Sequence, residues 1–408
     1  MIQIRPDLMA LLLFISVVFS ACLKPQPATE PAPVSDTATA PAPDTAPTTL
    51  APEPLPTAPL PDDFTIIAVG DNLYHETVMK LFLNDNSFDF APYYQFIQPL
   101  AKAADIAFVN QETILGGKEF GFSAYPSFNT PQEVGVALIG AGFNVINQAT
   151  NHTLDRGVKP VLATIDFWDK RPEVDYLGIF PSQETRDAKQ VIVERNNIKV
   201  GFLSYAYGLN GLILPADRPY LISLIDTEVM AKEIDALRPL CDYLVVSMHW
   251  GVEYEFQQNK RQETLARFLA DHNVDLVIGH HPHVLQPVEV LPRADGGLTY
   301  CFYSLGNFIS SQMPNTTMLG GMMYLKAQRA DNGIHVVESG VIPLVTHFEA
   351  GSVNFRIYPL YEYTNELAAK HLRNTEGNEI STAFFKSLAA RVLGDALIDH
   401  NPYKEATP

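Results

Sequence analysis

Cysteine, tryptophan and positive charge are scarce in this sequence of 408 residues. There are three Cys, two Trp and 28 Lys and Arg against 46 Asp and Glu, so the formal net charge is −18. Three Cys cannot build a disulfide scaffold, and 24 Gly exclude a collagen-like chain. The acidic balance, without a run of Lys or Arg, argues against nucleic acid as a partner. The 47% of hydrophobic residues is enough for a sizeable folded core.

Residues 1–21 resemble an export signal of the bacterial lipoprotein type. Arg5 precedes an apolar run over 9–20, which is too short for a comfortable membrane span. Cys22 follows directly after small residues, at the position where that class is lipidated, although Phe19 stands where the usual motif prefers Leu. We therefore expect a lipid anchor at Cys22 on the extracytoplasmic face of the cell membrane. An ordinary cleaved signal and an uncleaved anchor are the alternatives.

The segment 22–62 has the composition of a linker. It holds 12 of the 31 Pro, together with Ala, Thr and a few acidic residues, and the stretch 24–61 contains no aromatic residue. Such a segment cannot bury a core, so we expect a disordered, extended linker. The sequence then predicts a folded domain over 63–360 and a helical extension over 361–408.

Short apolar runs alternate with amphipathic segments from residue 63 onwards, which is typical of an α/β fold. The predicted strands are 64–69, 106–109, 143–147, 199–204, 243–248, 274–278 and 298–303, and the predicted helices are 131–141, 158–169, 228–237 and 258–271. Beyond about residue 307 the pattern changes to β segments, which we expect to add antiparallel strands at 322–326, 335–343 and 353–359. A terminal helix is predicted over 378–393, with Asn378 as its cap.

Side chains that commonly bind metal ions follow five of these predicted strands. They are Asp71, the pair Asn110 and Glu112, the run Asn151 to Asp155, His249, and the run His280 to His283. In open α/β sheets, ligands bind outside the carboxyl ends of the strands. Mixed nitrogen and oxygen donors suit Zn, Mn or Fe better than Ca, so we expect one or two divalent ions there.

Each of these residues also has a structural explanation when it is taken alone. Asp71 could cap a turn, Glu112 could be solvated, and His249 could be a hydrogen-bonded core residue. Three His within 280–283 are much harder to explain by packing. On an extended segment, the side chains of His281 and His283 would face the same side.

The ordered series of motifs over 64–308 resembles the bacterial capsule-synthesis CapA/PgsA family. The motifs are Gly70-Asp71, Asn110-x-Glu112, Asn151-His152-Thr-Leu-Asp155, His249-Trp250-Gly251-x-Glu253, Gly279-His280-His281-Pro282-His283 and Ser304-Leu305-Gly306-Asn307-Phe308. That family is tied to poly-γ-glutamate capsules and is related to the calcineurin-like metallophosphoesterases. The resemblance implies a metallophosphoesterase-like, four-layer α/β sandwich with mixed sheets.

The same resemblance implies a role for each matching residue. Asp71 would bind the first metal, Glu112 would bridge two metals, and Asn151 would bind the second. His249, His281 and His283 would complete the two shells, and His152 would be the catalytic acid, base or transition-state donor. Residues expected to support these ligands or to contact substrate are Asn110, Asp155, Glu253, His280 and Asn307.

One position departs from the metallophosphoesterase pattern. Those enzymes carry a His two residues after the first Asp, whereas this chain has Leu73 there and its nearest His is His75. The first metal site is therefore depleted, weak or completed by another residue, which puts a standard two-metal mechanism in question.

We therefore expect a lipid-anchored protein that acts in capsule or poly-γ-glutamate synthesis, export or release, with metal-dependent hydrolase chemistry. The residues do not choose between an amide carbonyl and a phosphoester as the target. One alternative is a non-enzymatic factor that binds an anionic polymer or capsule-synthesis membrane proteins, and another is a phosphodiesterase or nucleotidase. In an exported protein, Cys241 and Cys301 could also form a disulfide.

Overall fold

The computed structural model describes residues 62–80, 88–331, 333–351 and 353–404. The predicted signal, Cys22 and the linker up to residue 61 lie outside the described residues. Among the residues that are described, no helix is both long and apolar enough to cross a bilayer.

The described residues form strands and helices that alternate through the first two thirds of the domain. The strands are β1 Asp63–Asn72, β2 Ile106–Asn110, β3 Val145–Asn147, β4 Asp175–Leu177, β5 Val191–Arg195, β6 Ile198–Ala206, β7 Tyr243–His249, β8 Leu276–His280, β9 Val288–Pro292, β10 Leu298–Phe302, β11 Asn307–Ile309, β12 Leu319–Ala330, β13 Gly333–Glu349 and β14 Val353–Pro359. The α-helices are α1 Glu76–Lys80, α2 Gln98–Ala103, α3 Glu133–Ala141, α4 Val158–Asp169, α5 Gln183–Ala188, α6 Thr227–Leu237, α7 Lys260–Asp271, α8 Asn365–Lys370 and α9 Thr382–Leu393.

These strands build two mixed sheets. The first has the order β14-β13-β12-β1-β2-β3-β4, in which β1 to β4 run parallel and β12 to β14 are antiparallel, while β11 pairs with the end of β1. The second has the order β5-β6-β7-β8-β10-β9, with four parallel strands between antiparallel edge strands. The predicted α/β architecture with mixed sheets and additional antiparallel strands is confirmed.

The two sheets pack face to face and are flanked by helices. Along β7, Tyr243 and Val245 belong to the core between the sheets, whereas Leu244 and Val246 belong to the cluster under helices α6 and α7. This alternation is what a strand that is buried on both faces requires. Buried residues of α3 and α4 join the core of the first sheet. The layers are therefore helices, sheet, sheet and helices.

A turn after β10 joins the carboxyl ends of β1 and β8. The backbone N–H of Asp71 donates to the carbonyl of Gly306 at 2.8 Å, and the N–H of Leu305 donates to the carbonyl of Gly279 at 3.1 Å. A Cβ at Gly70 would lie 1.8 Å from the Gly306 oxygen, so only glycine permits this approach. The turn therefore holds the first and second sheets together where the predicted ligands lie.

Several element boundaries differ from the sequence prediction. Helix α4 occupies the predicted range, but the terminal helix begins at Thr382 and not near Asn378. The prediction of Asn378 as its cap is wrong, because the Ser381 side chain accepts the backbone N–H of Phe384. The short or edge strands β4, β5, β9 and β11 had no predicted counterpart. Within the predicted extension, Phe385 joins the main hydrophobic core.

The disulfide that the sequence left open does not form. Cys241 and Cys301 are both free. Cys301 is buried in β10, and the thiol of Cys241 donates to the carbonyl oxygen of Leu237 at 3.5 Å. Both residues act as small, mostly buried side chains.

Candidate metal centre

Polar side chains from both sheets meet at the edge where the parallel strands end. Asp71 and Asn110 lie at the ends of β1 and β2, and His249 and His280 lie at the ends of β7 and β8. All four are completely buried. Because the strands of each sheet run parallel here, their carboxyl ends share one edge, and the turn after β10 brings the two edges together.

Glu112, His281 and His283 form the group best placed to hold a metal ion. One ligand atom from each lies within 4.8 Å of the others, and all three residues are buried. Neither carboxylate oxygen of Glu112 has a hydrogen-bond partner, and Nδ1 of His281 also has none. An unpaired buried carboxylate is costly unless a proton or a cation neutralises it. The two imidazoles and the carboxylate are donors that suit Zn, Mn or Fe, so these residues fit a divalent metal.

Asn151 and His249 adjoin this group on one side. Nε2 of His249 lies 2.8 Å from Oδ1 of Asn151 and 3.8 Å from Oε1 of Glu112. The His249 ring also lies close to the His281 ring, with 5.0 Å between their centroids. These two residues can therefore extend the donor set around Glu112.

Asp71 lies on the other side, within a set of hydrogen-bond donors. Its Oδ1 accepts the Asn110 amide at 2.8 Å, and its Oδ2 lies 2.9 Å from Nδ1 of His283. The backbone N–H of His281 also donates to this carboxylate at 3.2 Å. Oδ1 of Asn307 lies 3.0 Å from the same Nδ1 of His283. Asp71 and Asn307 thus both contact one nitrogen of His283.

Burial and mutual charge shift the pKa values in this centre in opposite directions. Burial raises the pKa of Glu112 well above its usual range, and the neighbouring Asp71 adds to this. Burial lowers the pKa of His281 to about 3 and that of His249 well below its usual value, so both are neutral at pH 7, as metal ligands must be. Burial opposes protonation of His283, but Glu112 and Asp71 raise its pKa to about 9. Burial alone would raise the pKa of Asp71, but His283 holds it below its usual value.

His152 and Asp155 form a second pair beside the metal group. Nδ1 of His152 lies 2.8 Å from Oδ2 of Asp155, which also accepts the backbone N–H of Phe128 at 2.9 Å. The Phe128 ring packs edge-on against His152, with centroids 4.7 Å apart. The carboxylate contact places the imidazole proton on Nδ1 and leaves Nε2 for a substrate. The pair therefore has the geometry of a fixed acid or base.

The two histidines of the metal group sit on a strained turn and not on the extended segment that their spacing suggested. Strand β8 ends at His280, and the φ angles of His281 and His283 are 99° and 60°. Such left-handed conformations cost about 1–3 kcal/mol each for residues other than glycine. The turn is held by the N–H of Tyr254, which donates to the carbonyl of Pro282 at 2.8 Å. The backbone conformation thus aims both imidazoles at Glu112.

The remaining predicted residues occupy other places around the centre. His280 stacks on Phe108, with ring centroids 5.8 Å apart, and its Nδ1 lies 3.8 Å from Oδ1 of Asp71. Glu253 is exposed on the loop after β7. Leu73 is buried. His75 is not part of the metal group, and its Nδ1 accepts the backbone N–H of Ser311 at 3.4 Å.

Two residues of the centre were not found from the sequence. Tyr207 packs against His281, with ring centroids 4.6 Å apart. The Asn210 amide lies 3.3 Å from Nδ1 of His152, and its oxygen accepts the Asn151 amide at 3.1 Å. Both lie after β6, a strand that was predicted. The rule that ligands follow strand ends could therefore have found them, but neither is an acid or a histidine.

The chain matches known proteins of capsule synthesis. Residues 65–312 match the family model described as "Bacterial capsule synthesis protein PGA_cap". The chain is 29% identical to "Capsule biosynthesis protein CapA" of Bacillus anthracis over 69% of this chain and 67% of that protein. It is 31% identical to "PGA biosynthesis protein CapA" of Bacillus subtilis over 54% of this chain and 57% of that protein. The chain therefore spans little more than half the length of the second relative.

The structure is also similar to that of the calcineurin-like phosphoesterase YfkN from Bacillus subtilis. The identity is 17% and the TM-score is 0.41, over 69% of this chain and 90% of that one.

We expect Glu112→Ala and His281→Ala each to abolish tight binding of a divalent metal without unfolding the domain. Each change removes one donor from a three-residue group, and Glu112→Ala also removes a buried carboxyl group whose oxygens have no hydrogen-bond partner. Metal content after dialysis and circular dichroism of the same samples measure the two effects. His272→Ala, at the partly exposed end of α7, is the matched control. Full metal content in both variants would contradict the assignment of the metal group.

Proposed function

The chain belongs to the bacterial capsule synthesis protein family PGA_cap, and from this membership we propose that it is a metal-dependent hydrolase of capsule biosynthesis. Its substrate would be poly-γ-glutamate or a related anionic polymer, and its action would be in synthesis, export or release. The name of the Bacillus subtilis relative, which refers to PGA biosynthesis, supports this choice of polymer.

The main support for the hydrolase proposal is the carboxylate of Glu112, which has no hydrogen-bond partner and lies beside the imidazoles of His281 and His283. Glu112, His281 and His283 would hold a divalent ion, with Asn151 and His249 as further donors. Bound there, one or two Zn, Mn or Fe ions would supply Lewis-acid activation of water and of the scissile carbonyl or phosphoryl group. A purely structural cluster would be expected to satisfy its buried oxygens within the protein, and Glu112 does not.

His152 would transfer the proton in this reaction. Asp155 fixes the ring through Nδ1–H, so Nε2 can accept a proton from the attacking water and, once it carries that proton, donate it to the leaving group. The pair is nearly buried, with 9% and 4% of the two side chains exposed, which restricts the access of water. Proton transfer of this kind contributes about 10²–10⁴-fold to a rate.

The charge of the chain limits how an anionic polymer can approach. A net charge of −18 disfavours long-range attraction of a polyanion. Attraction would therefore have to be local, from bound metal and from cations near the centre. Arg373 is one such cation, because its guanidinium donates to the carbonyl of Ser311, whose N–H donates to Nδ1 of His75.

We expect His152→Ala to lower hydrolysis by about 10²–10⁴-fold while leaving metal content unchanged, because the side chain handles a proton and does not belong to the metal group. The assay uses metal-loaded protein with poly-γ-glutamate and, separately, with a phosphodiester. Chain length of the polymer and released phosphoester product are measured.

The outcomes of this assay separate the candidate functions. Cleavage of the phosphodiester alone would replace the polymer hydrolase with a phosphodiesterase. A fully metallated protein that cleaves neither substrate would contradict hydrolysis and would favour a non-enzymatic assembly factor that holds polymer or capsule-synthesis membrane proteins.

We also propose that the protein is anchored to the extracytoplasmic face of the cell membrane through a lipid on Cys22. The support is the apolar run followed by small residues and this Cys. We expect Cys22→Ser to move the protein from the membrane fraction to the soluble fraction of fractionated cells. Cys241→Ser is the matched control, since Cys241 lies partly buried within the folded domain. Equal membrane association of the Cys22 variant and the unmodified protein would contradict the anchor.

A further inference from the structure

Asp71 is fully engaged with protein donors. Its Oδ1 accepts the Asn110 amide at 2.8 Å, its Oδ2 contacts Nδ1 of His283 at 2.9 Å, and the backbone N–H of His281 donates to the carboxylate. The Asn110 amide is itself oriented, because Oδ1 of Asn110 accepts the Asn147 amide at 2.7 Å. The Asn110 donor therefore cannot turn away from Asp71 without breaking the hydrogen bond from the Asn147 amide.

His283 has its two ring nitrogens in different surroundings. Nδ1 faces Oδ2 of Asp71 at 2.9 Å and Oδ1 of Asn307 at 3.0 Å. The Asn307 amide is fixed by its other end, because Nδ2 donates to Oε1 of Gln312 at 2.8 Å and to the carbonyl of Thr317 at 3.1 Å. Two oxygen acceptors thus face Nδ1, and that nitrogen must carry a proton. The opposite nitrogen, Nε2, lies 3.9 Å from Oε1 of Glu112.

This arrangement makes Nε2 the metal-binding nitrogen of His283. A ligating imidazole commonly donates its other N–H to a carboxylate or a carbonyl, which fixes the ring and makes the ligating nitrogen more basic. Asp71 and Asn307 supply those two acceptors here. Asp71 would act on the metal through His283 and not by direct contact.

In the part of the chain that the structure describes, no three acidic, histidine or cysteine side chains around Asp71 form a second metal group. Asp71 is not part of the group formed by Glu112, His281 and His283, and the side chain two residues after it is Leu73. The unpartnered imidazole of His280 lies beside Asp71, with Nδ1 at 3.8 Å from Oδ1 of Asp71. The Asn110 amide already donates to that oxygen at 2.8 Å.

We infer that the centre holds one divalent ion, and that Asp71 and Asn307 are positioning residues that orient His283 towards it. This inference rests on the metal site of the proposed function and narrows it from one or two ions to one. It also gives Asp71 a role that differs from the direct ligand expected from the family resemblance.

Metal stoichiometry of the full chain tests the inference, with Zn²⁺ and Mn²⁺ as probes. We expect the unaltered protein to bind one ion per chain at saturation, measured by equilibrium dialysis and elemental analysis. Asp71→Asn should still bind one ion, about 10–100-fold more weakly, because it loses a supporting contact and not a ligand. Two ions in the unaltered protein, with one in Asp71→Asn, would overturn the inference but leave the metal site intact. No bound ion at all would overturn the proposed function as well.

Two further variants keep the test decisive if Asp71→Asn folds poorly. Asn307→Ala removes the other acceptor at Nδ1 of His283, and we expect one ion with weaker affinity. A fall from two ions to one in this variant would instead identify Asn307 as a ligand. Asp275→Asn is the matched control, because Asp275 is a buried carboxylate at the opposite end of β8 that pairs with Arg238 and Arg293. It should lower stability without changing ion affinity.

Discussion

The burial of the Glu112 carboxylate is the constraint on which the rest of this structure depends. The side chain is completely buried, and neither oxygen has a hydrogen-bond partner. Two imidazole nitrogens, Nε2 of His249 and Nε2 of His283, lie 3.8 and 3.9 Å from Oε1 of Glu112, beyond hydrogen-bond distance. A buried charge without a partner costs several kcal/mol, so the carboxylate must take up a proton or be neutralised by a cation. The donors around it favour a metal ion as that cation.

Local backbone strain and close backbone contacts bring the other metal-binding side chains near Glu112. Gly70 allows β1 to approach the turn after β10, and that turn also holds the end of β8. The left-handed conformations of His281 and His283 then direct both rings inward. Strain of this kind persists only where surrounding contacts over-determine the conformation, and it concentrates at functional sites. The fold and the centre are therefore parts of one arrangement.

The long, periodic elements and the sheet edge that carries the centre could be predicted from the sequence. Features whose conformation is determined by tertiary contacts could not. Helix 158–169 and the central strands follow from hydrophobic periodicity, and the acids and histidines follow from strand ends. The three-residue strand β4 carries too little pattern to be recognised, and the start of α9 was set by Ser381. Spacing suggested an extended path for 281–283, but hydrogen bonds from distant loops impose a strained turn. No local pattern marks Asn210, whose role depends on contacts with residues far away in sequence.

Anomalous diffraction from crystals grown with Mn²⁺ or Zn²⁺ tests most directly whether a cation neutralises Glu112. A single strong anomalous peak in contact with Glu112, His281 and Nε2 of His283, with Asp71 bonded to Nδ1 of His283, is the predicted result. A protein that diffracts well with metal present and shows no anomalous peak at Glu112 would contradict the account, because the carboxylate would then be buried without the cation that explains it.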